Sequence, residues 1–391
     1  MQPATEESLF QSGIKALQAG NGHDAKATFQ NAISQGFKSS RIWLGLALAN
    51  IARRDTKAAE QAIDQVLALE PNNLRALIIK GDIVFARQEM QAAAAHYGLA
   101  LRLSAALSNP PPVVIADLKR IARRQQEISQ RFQEHLMDQL ANVGYRRTTA
   151  SERFNKALDM LLGKLERPLE TRSYPQSPHT FYMPDLPYHT FFPREELAWL
   201  DELESQTDVI QSELEALLAK QQQSFKPYIH SGIDRPQESH TDLMDSDDWT
   251  SAYLWEDGRP IESTIEQCPT TTDVIEELPL TKINGFSPSV LFSKLAPGAR
   301  IEPHTGLVNT RLICHLPLIV PEQCGLRVGP ETRITQRGSA WAFDDSIQHE
   351  AWNRSEEARV ILLFDVWRPE LDESERLFIR TLLESVKNYA G

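Results

Sequence analysis

FSKLAPGARIEPHTGLVNTRLICHLPLIVP, residues 292–321, sets short apolar runs against turn-forming clusters, which reads as β-strands joined by tight connections. Working outward, SVLFSKL (289–295), TRLICHLPLIV (310–320), SAWAFD (339–344) and ARVILLFDVW (358–367) share the same branched and aromatic character. The clusters APGA (296–299), VGPET (328–332) and QRGS (336–339) separate them. From about Phe225 onward the chain therefore reads as β, and many short strands at this spacing predict a sandwich or jelly roll. An amphipathic helix over Glu373–Tyr389, with Leu377, Leu382, Leu383 and Val386 on one face, closes the chain.

The other end is helical and repetitive. HDAKATFQNAI (23–33), TKAAEQAIDQVL (56–67) and MQAAAAHYGLAL (90–101) carry Ala25, Phe29 and Ala32, then Ala59, Ile63 and Val66, then Ala93, Tyr97 and Ala100. Each set lies 34 residues after the one before, with small residues where paired helices approach and a bulky one between them. That period is the tetratricopeptide signature, and stacks of this kind serve as surfaces for protein partners. NPPPVV (109–114) ends the pattern, a charged helix is expected over Ile115–Leu140, and another over 151–166. The basic cluster of Lys119, Arg120, Arg123 and Arg124 reads as a solvated helix face. SYPQSPHTFYMPDLPYHTFFP (173–193) reads as a linker, followed by one helix over about 194–222. The expected domains are residues 1–108 (repeats), 109–172 (helical connector) and 173–391 (mainly β).

A net charge of −12 argues against a broad grip on nucleic acid, which needs a basic surface. Three cysteines (Cys268, Cys314, Cys324) at no repeated spacing fit neither a disulfide framework nor a CxxC motif. MQPATEESLF has no signal-peptide character, and no apolar run approaches a membrane span, so a soluble cytoplasmic protein is expected.

Ten histidines are present. His23, His96 and His135 sit in polar helical surroundings, and His179, His189, His230 and His240 in loops without ligand-like neighbours. His304, His315 and His349 differ because of their context. The stretch quoted first and GSAWAFDDSIQHEAWNRSEEARVILLFDVWRPEL (338–371) resemble the aspartyl/asparaginyl β-hydroxylase family of 2-oxoglutarate oxygenases. FYMPDLPYHTFF (181–192), YLWEDG (253–258), CPTTTDVIEELPL (268–280) and VWRPEL (366–371) continue the resemblance over roughly half the chain. Tetratricopeptide repeats are a known companion of this catalytic domain.

The resemblance implies an α+β multidomain chain: a helical solenoid, then a double-stranded β-helix (cupin-like jelly roll) with flanking helices. It further implies Fe(II) held by His304 and His349, the latter in the FDDS-x-x-H element (343–349). Imidazole suits that metal, and 45 residues between the two leave room for several strands. The carboxylate of the usual HxD motif is replaced by Gly306, where the family accepts water as a ligand. Asp344, Asp345 and Glu350 are nearby carboxylates; the two aspartates are expected to orient the ligand imidazoles rather than bind metal. For the cosubstrate 2-oxoglutarate the family points to Arg359, assisted by Ser293 and His315. An arginine opening a buried strand also needs an anion for physical reasons, and its planar fork suits a carboxylate. Many relatives carry a second arginine where this chain has Ile313; Arg311, with the same strand facing, either substitutes or binds substrate. Trp255 and Trp341 read as packing residues.

The implied activity is hydroxylation of the β-carbon of Asp or Asn in a protein or peptide, possible recruitment of which falls to the repeats. A lipid acyl or small-molecule hydroxylase, or a non-enzymatic scaffold, are the alternatives.

Overall fold

A computed structural model describes residues 5–107, 110–219, 225–228 and 246–389. His230 and His240 lie outside them. The chain divides into two compact units, Met1–Leu136 with Asn388–Gly391, and Met137–Lys387.

The first unit is built of three helix pairs: α1 (Glu6–Gln18) with α2 (Gly22–Ser34), α3 (Ser40–Ala52) with α4 (Thr56–Leu69), and α5 (Leu74–Ala86) with α6 (Met90–Ser104). All nine residues of the 34-residue pattern have no solvent exposure, at 0% each. The small positions are there because the pairs meet closely. A Cβ on Gly13 or Gly45 would lie 2.5 or 2.4 Å from the Phe29 ring, and one on Gly81 would lie 2.5 Å from Tyr97. Asn21 and Asp55, also 34 residues apart, cap α2 and α4 through Asp24 N and Ala58 N. α7 (Pro112–Asn142) follows, longer than expected at both ends. Arg120 and Arg124 are not simply solvated: both donate to Asp82 Oδ1 at 2.6 Å, and Arg124 also donates to the Tyr97 hydroxyl at 2.9 Å.

In the second unit, α8 (Glu152–Leu161) packs on α13 (Glu373–Asn388). Tyr145, Phe154 and Phe378 form a trio of rings 5.3–5.5 Å apart. Arg153 Nε and Ser151 Oγ both donate to Glu375 Oε1 at 2.6 Å. The continuous helix expected over 194–222 is broken instead into a 3-10 turn (Arg194–Glu196), α9 (Leu200–Ser205) and α10 (Thr207–Ala219). Two short helices, α11 (Glu262–Ile265) and α12 (Pro269–Glu276), interrupt the region read as all β.

Eleven strands are present among the described residues: β1 (Lys226–Pro227), β2 (Trp249–Glu256), β3 (Arg259–Pro260), β4 (Val290–Leu295), β5 (Arg300–His304), β6 (Arg311–Ile319), β7 (Cys324–Val328), β8 (Glu331–Ile334), β9 (Trp341–Phe343), β10 (His349–Asn353) and β11 (Arg359–Trp367). They form a large antiparallel sheet ordered β1-β2-β4-β11-β6-β9, with β3 beside β2, and a small one ordered β5-β10-β7-β8.

Period-two alternation divides the large sheet. Val360, Leu362, Phe364 and Val366 of β11 join Leu312, Cys314 and Leu316 of β6 in a core with Leu203, Ile210, Leu214 and Ile275 from the helices. Trp249, Leu295, Trp341 and Phe343 turn the other way and pack with Ile301, Leu326, Val328 and Ala351 of the small sheet. The functional candidates lie in this layer between the sheets.

The proline- and aromatic-rich segment 173–193 is no free linker. Ser177 N donates to Ser346 O (2.6 Å), His179 N to Gly306 O (3.1 Å) and Thr180 N to Leu307 O (2.8 Å). It is a strap laced by backbone hydrogen bonds to the two loops beside His304 and His349.

Candidate metal centre

His304 ends β5 and His349 begins β10, and the two are direct cross-strand partners. Their ring centroids are 4.1 Å apart. Each Nδ1 lies against a carbonyl oxygen, Glu302 O at 2.7 Å for His304 and Ile347 O at 3.0 Å for His349. A carbonyl only accepts, so both Nδ1 atoms carry the proton and both Nε2 lone pairs are left for another partner. His349 is buried, and loss of solvation, reinforced by His304, pushes its pKa down to about 3. A neutral, Nε2-available imidazole is the form that binds a transition metal, so the pair fits a divalent ion. Among the described residues no third histidine, cysteine or carboxylate joins the pair in a ligand cluster.

The aspartates do not orient the imidazoles as expected; the backbone carbonyls do. Asp344 is fully buried and committed elsewhere, to Arg368 (2.9 Å), Gln176 Nε2 (2.6 Å) and Ser346 Oγ (2.6 Å). Glu350 is held by Arg327 and by Arg300 Nε (3.1 Å), which removes it from the ligand candidates.

Asp345 has a different place. A Cβ built on Gly306 would lie 1.9 Å from Asp345 Oδ2, so the space a carboxylate at 306 would enter is already taken by this side chain. Burial raises the Asp345 carboxyl to about 7, with Arg311 opposing the shift. Gly306→Asp should therefore cost about 1–3 kcal/mol through overpacking, and Asp345→Gly in the same chain should recover most of it. Urea unfolding of the single and double variants measures this; a single variant as stable as the parent would contradict the packing.

Arg359 is 1% exposed, and its Nε is buried without an acceptor. No carboxylate among the described residues pairs with it, and desolvation lowers its pKa to about 10. Strand register puts the other expected residues on the same face. Ser293 stands opposite Ile361, and His315 opposite Leu363, two and four positions along β11 from Arg359. Ser293 Oγ accepts from Trp249 Nε1 at 3.0 Å. His315 is buried and driven well below its usual pKa by desolvation, then by Arg359 and His349. The Phe343 ring lies 5.1 Å from His315 and 5.3 Å from His349, so these groups share one space.

Arg311 lies apart from Arg359. It stands opposite Trp367, at the far end of β11. There it lies 3.5 Å from Asp365 Oδ2 and 3.9 Å from Asp345 Oδ2, and donates to Ser287 Oγ at 3.2 Å.

His179, read from sequence as an ordinary loop residue, adjoins the site: its Nε2 is 3.1 Å from Thr305 Oγ1. Only contacts between distant segments reveal it. Trp255 packs toward the helices, whereas Trp341 lies between the sheets.

Residues 204–369 match the model of a family described as aspartyl/asparaginyl beta-hydroxylase, and residues 16–83 match a tetratricopeptide repeat model. The C-terminal part of the chain is similar to the aspartyl/asparaginyl beta-hydroxylase family. Similar proteins include aspartate beta-hydroxylase domain-containing protein 2 of Xenopus tropicalis, 31% identical over 54% of this chain and 55% of that protein. The aspartyl/asparaginyl beta-hydroxylase of Homo sapiens is 36% identical over 34% of this chain and 18% of its own length. An ornithine lipid ester-linked acyl 2-hydroxylase of Rhizobium tropici is 32% identical over 44% of this chain and 58% of that one. The chain thus spans about half the length of the first and third and less of the second. Among solved structures, the type III secretion translocator chaperone SycD of Yersinia enterocolitica is 18% identical over 33% of this chain and 88% of that chain, with a TM-score of 0.30. A cupin-superfamily sugar phosphate isomerase of Silicibacter pomeroyi is 17% identical over 32% and 62%, with a TM-score of 0.20.

Proposed function

We propose that the hydroxylase domain is an Fe(II)- and 2-oxoglutarate-dependent dioxygenase acting on the β-carbon of Asp or Asn residues in a protein or peptide. The observation that carries this reading is the joint placement of two Nε2-available imidazoles and a carboxylate-less buried arginine in one space between the sheets. The strand order supports a double-stranded β-helix, since β4–β11 divide between two four-stranded sets ordered β4-β11-β6-β9 and β5-β10-β7-β8.

When bound, iron, 2-oxoglutarate and dioxygen supply the oxidising chemistry, leaving hydroxylated product, succinate and carbon dioxide. The chain's residues do the rest. His304 and His349 hold the metal, and their carbonyl partners fix which nitrogen is presented. Arg359, with Ser293 and neutral His315, receives the dicarboxylate and fixes its direction. The Arg311–Asp345 pair, on the Gly306 side, is assigned the contact with the substrate.

The repeats are assigned the recruitment of the protein substrate. No described helix is long and apolar enough to cross a membrane. Cys314 and Cys324, buried and in no disulfide, fit a reducing compartment, and the cytoplasm is the proposed location.

The lipid acyl hydroxylase among the relatives favours a second reading, in which an acyl chain replaces the peptide. Succinate release by the full chain with Fe(II) and 2-oxoglutarate, given Asp- and Asn-containing peptides or an acylated amino-acid lipid, separates the two. Peptide-stimulated release with a mass gain of one oxygen is expected. Stimulation by the lipid alone would transfer the assignment, and no 2-oxoglutarate turnover would end both.

A further inference from the structure

Trp341 is buried at 5% exposure, and its Nε1–H has no acceptor. Tryptophan presents a single polar atom, and when buried that atom normally finds a partner. Trp249, on the same inner face, shows the ordinary outcome by donating to Ser293 Oγ at 3.0 Å. Trp341 packs against Phe191 with ring centroids 6.1 Å apart and an interplanar angle of 87°.

Register shows where that nitrogen stands. Arg359 is level with Leu295 and Trp249. His315 and Trp341 are paired with each other and level with Leu363, and their ring centroids are 6.4 Å apart. Ile313 and Phe343 are level with Asp365, and the Phe343 ring touches the His349 side of the site. Trp341 thus occupies the layer between Arg359 and the imidazole pair. The four positions from Arg359 to Leu363 span about 13 Å of strand, a length that leaves room for a short dicarboxylate. At the next level Ile313 offers no donor, and Arg311 is engaged by Asp345 and Asp365.

We infer that Trp341 Nε1–H donates a hydrogen bond to a carboxylate oxygen of the dicarboxylate bound between Arg359 and the His304–His349 pair. This rests on the 2-oxoglutarate reading above and adds a positioning contact to it. Two buried donors without acceptors, on Arg359 and on Trp341, then converge on one anion, which satisfies both.

The test uses the full chain labelled with 15N at the indole nitrogens, with Zn(II) in place of iron. Seven tryptophans give seven indole signals, and that of Trp341 is identified by its absence from Trp341→Phe, or from Trp341→Tyr should the first not fold. On titration with 2-oxoglutarate the Trp341 signal is expected to move downfield. Calorimetry should show the variant binding 2-oxoglutarate roughly tenfold more weakly, the scale of one hydrogen bond to a charged group. Binding by the parent protein with the Trp341 signal unmoved, or with the variant at parental affinity, overturns the inference and leaves the dicarboxylate site standing. No 2-oxoglutarate binding by the parent protein overturns both.

Discussion

Replacing His349 with alanine should lower metal affinity by more than about 100-fold, beyond what the loss of a merely orienting partner costs. The two imidazoles are the only ligand-type side chains brought together at this site among the described residues, so losing one leaves a single nitrogen. Its backbone partner, Ile347 O, lies in a loop still tied to the strap through Ser346 O, so the loop has a support independent of the side chain. Titration of parent and variant with Zn(II) or Co(II) measures the effect, with thermal unfolding as the control for structure. A folded His349→Ala protein with parental affinity would mean that the metal is held elsewhere.

Arg359→Met should move binding and stability in opposite directions. An ion pair with a buried carboxylate contributes about 1.5–3 kcal/mol, so 2-oxoglutarate binding should weaken roughly 10- to 150-fold. The unliganded protein, by contrast, should become more stable. Desolvation lowers the Arg359 pKa in the fold to about 10, below its value in the unfolded chain. Below pH 10 the folded protein therefore holds a charge that the unfolded chain holds more easily. That penalty is present at neutral pH and relaxes as pH rises through about 10. Methionine removes the charge and keeps much of the volume, so the gain should be up to about 3 kcal/mol. Urea unfolding and calorimetry on the same preparation check both signs. A variant that is less stable yet binds 2-oxoglutarate normally would make Arg359 a structural residue.

The repeat unit was legible because its information is periodic: nine side chains at 34-residue spacing mark the second helix of each of three pairs, and all nine are buried. The strands were legible for a related reason, as the even positions of β11 are uniformly apolar and the odd ones begin with a buried arginine. The break at Gln206 was hidden because apolar residues continue on both sides of it, from Leu203 to Ile210. The threonine-rich α12 was hidden by β-branched residues, although Pro269 at its first turn is a helix-start signal. The histidine pair could be found by motif. What surrounds it could not, because Asp345 against Gly306, or Arg311 between two aspartates, are meetings of segments with no shared period.

The strap over residues 177–180 bears on how a metal site with only two histidine ligands would gain affinity. A metal held by three or four side chains tolerates some looseness, since each new bond helps order the rest. With two, the entropy of bringing the ligands together weighs more heavily on the binding free energy. Here main-chain hydrogen bonds from Ser177 to Ser346 and from His179 to Gly306 would supply that ordering to a metal held by the histidine pair. Main-chain bonds do not depend on which side chains the strap carries, so its sequence is free to drift while the preorganisation persists. The connectivity is not free in the same way: a backbone cut between Ser177 and Thr180 would leave every ligand in place and still release one loop from the other.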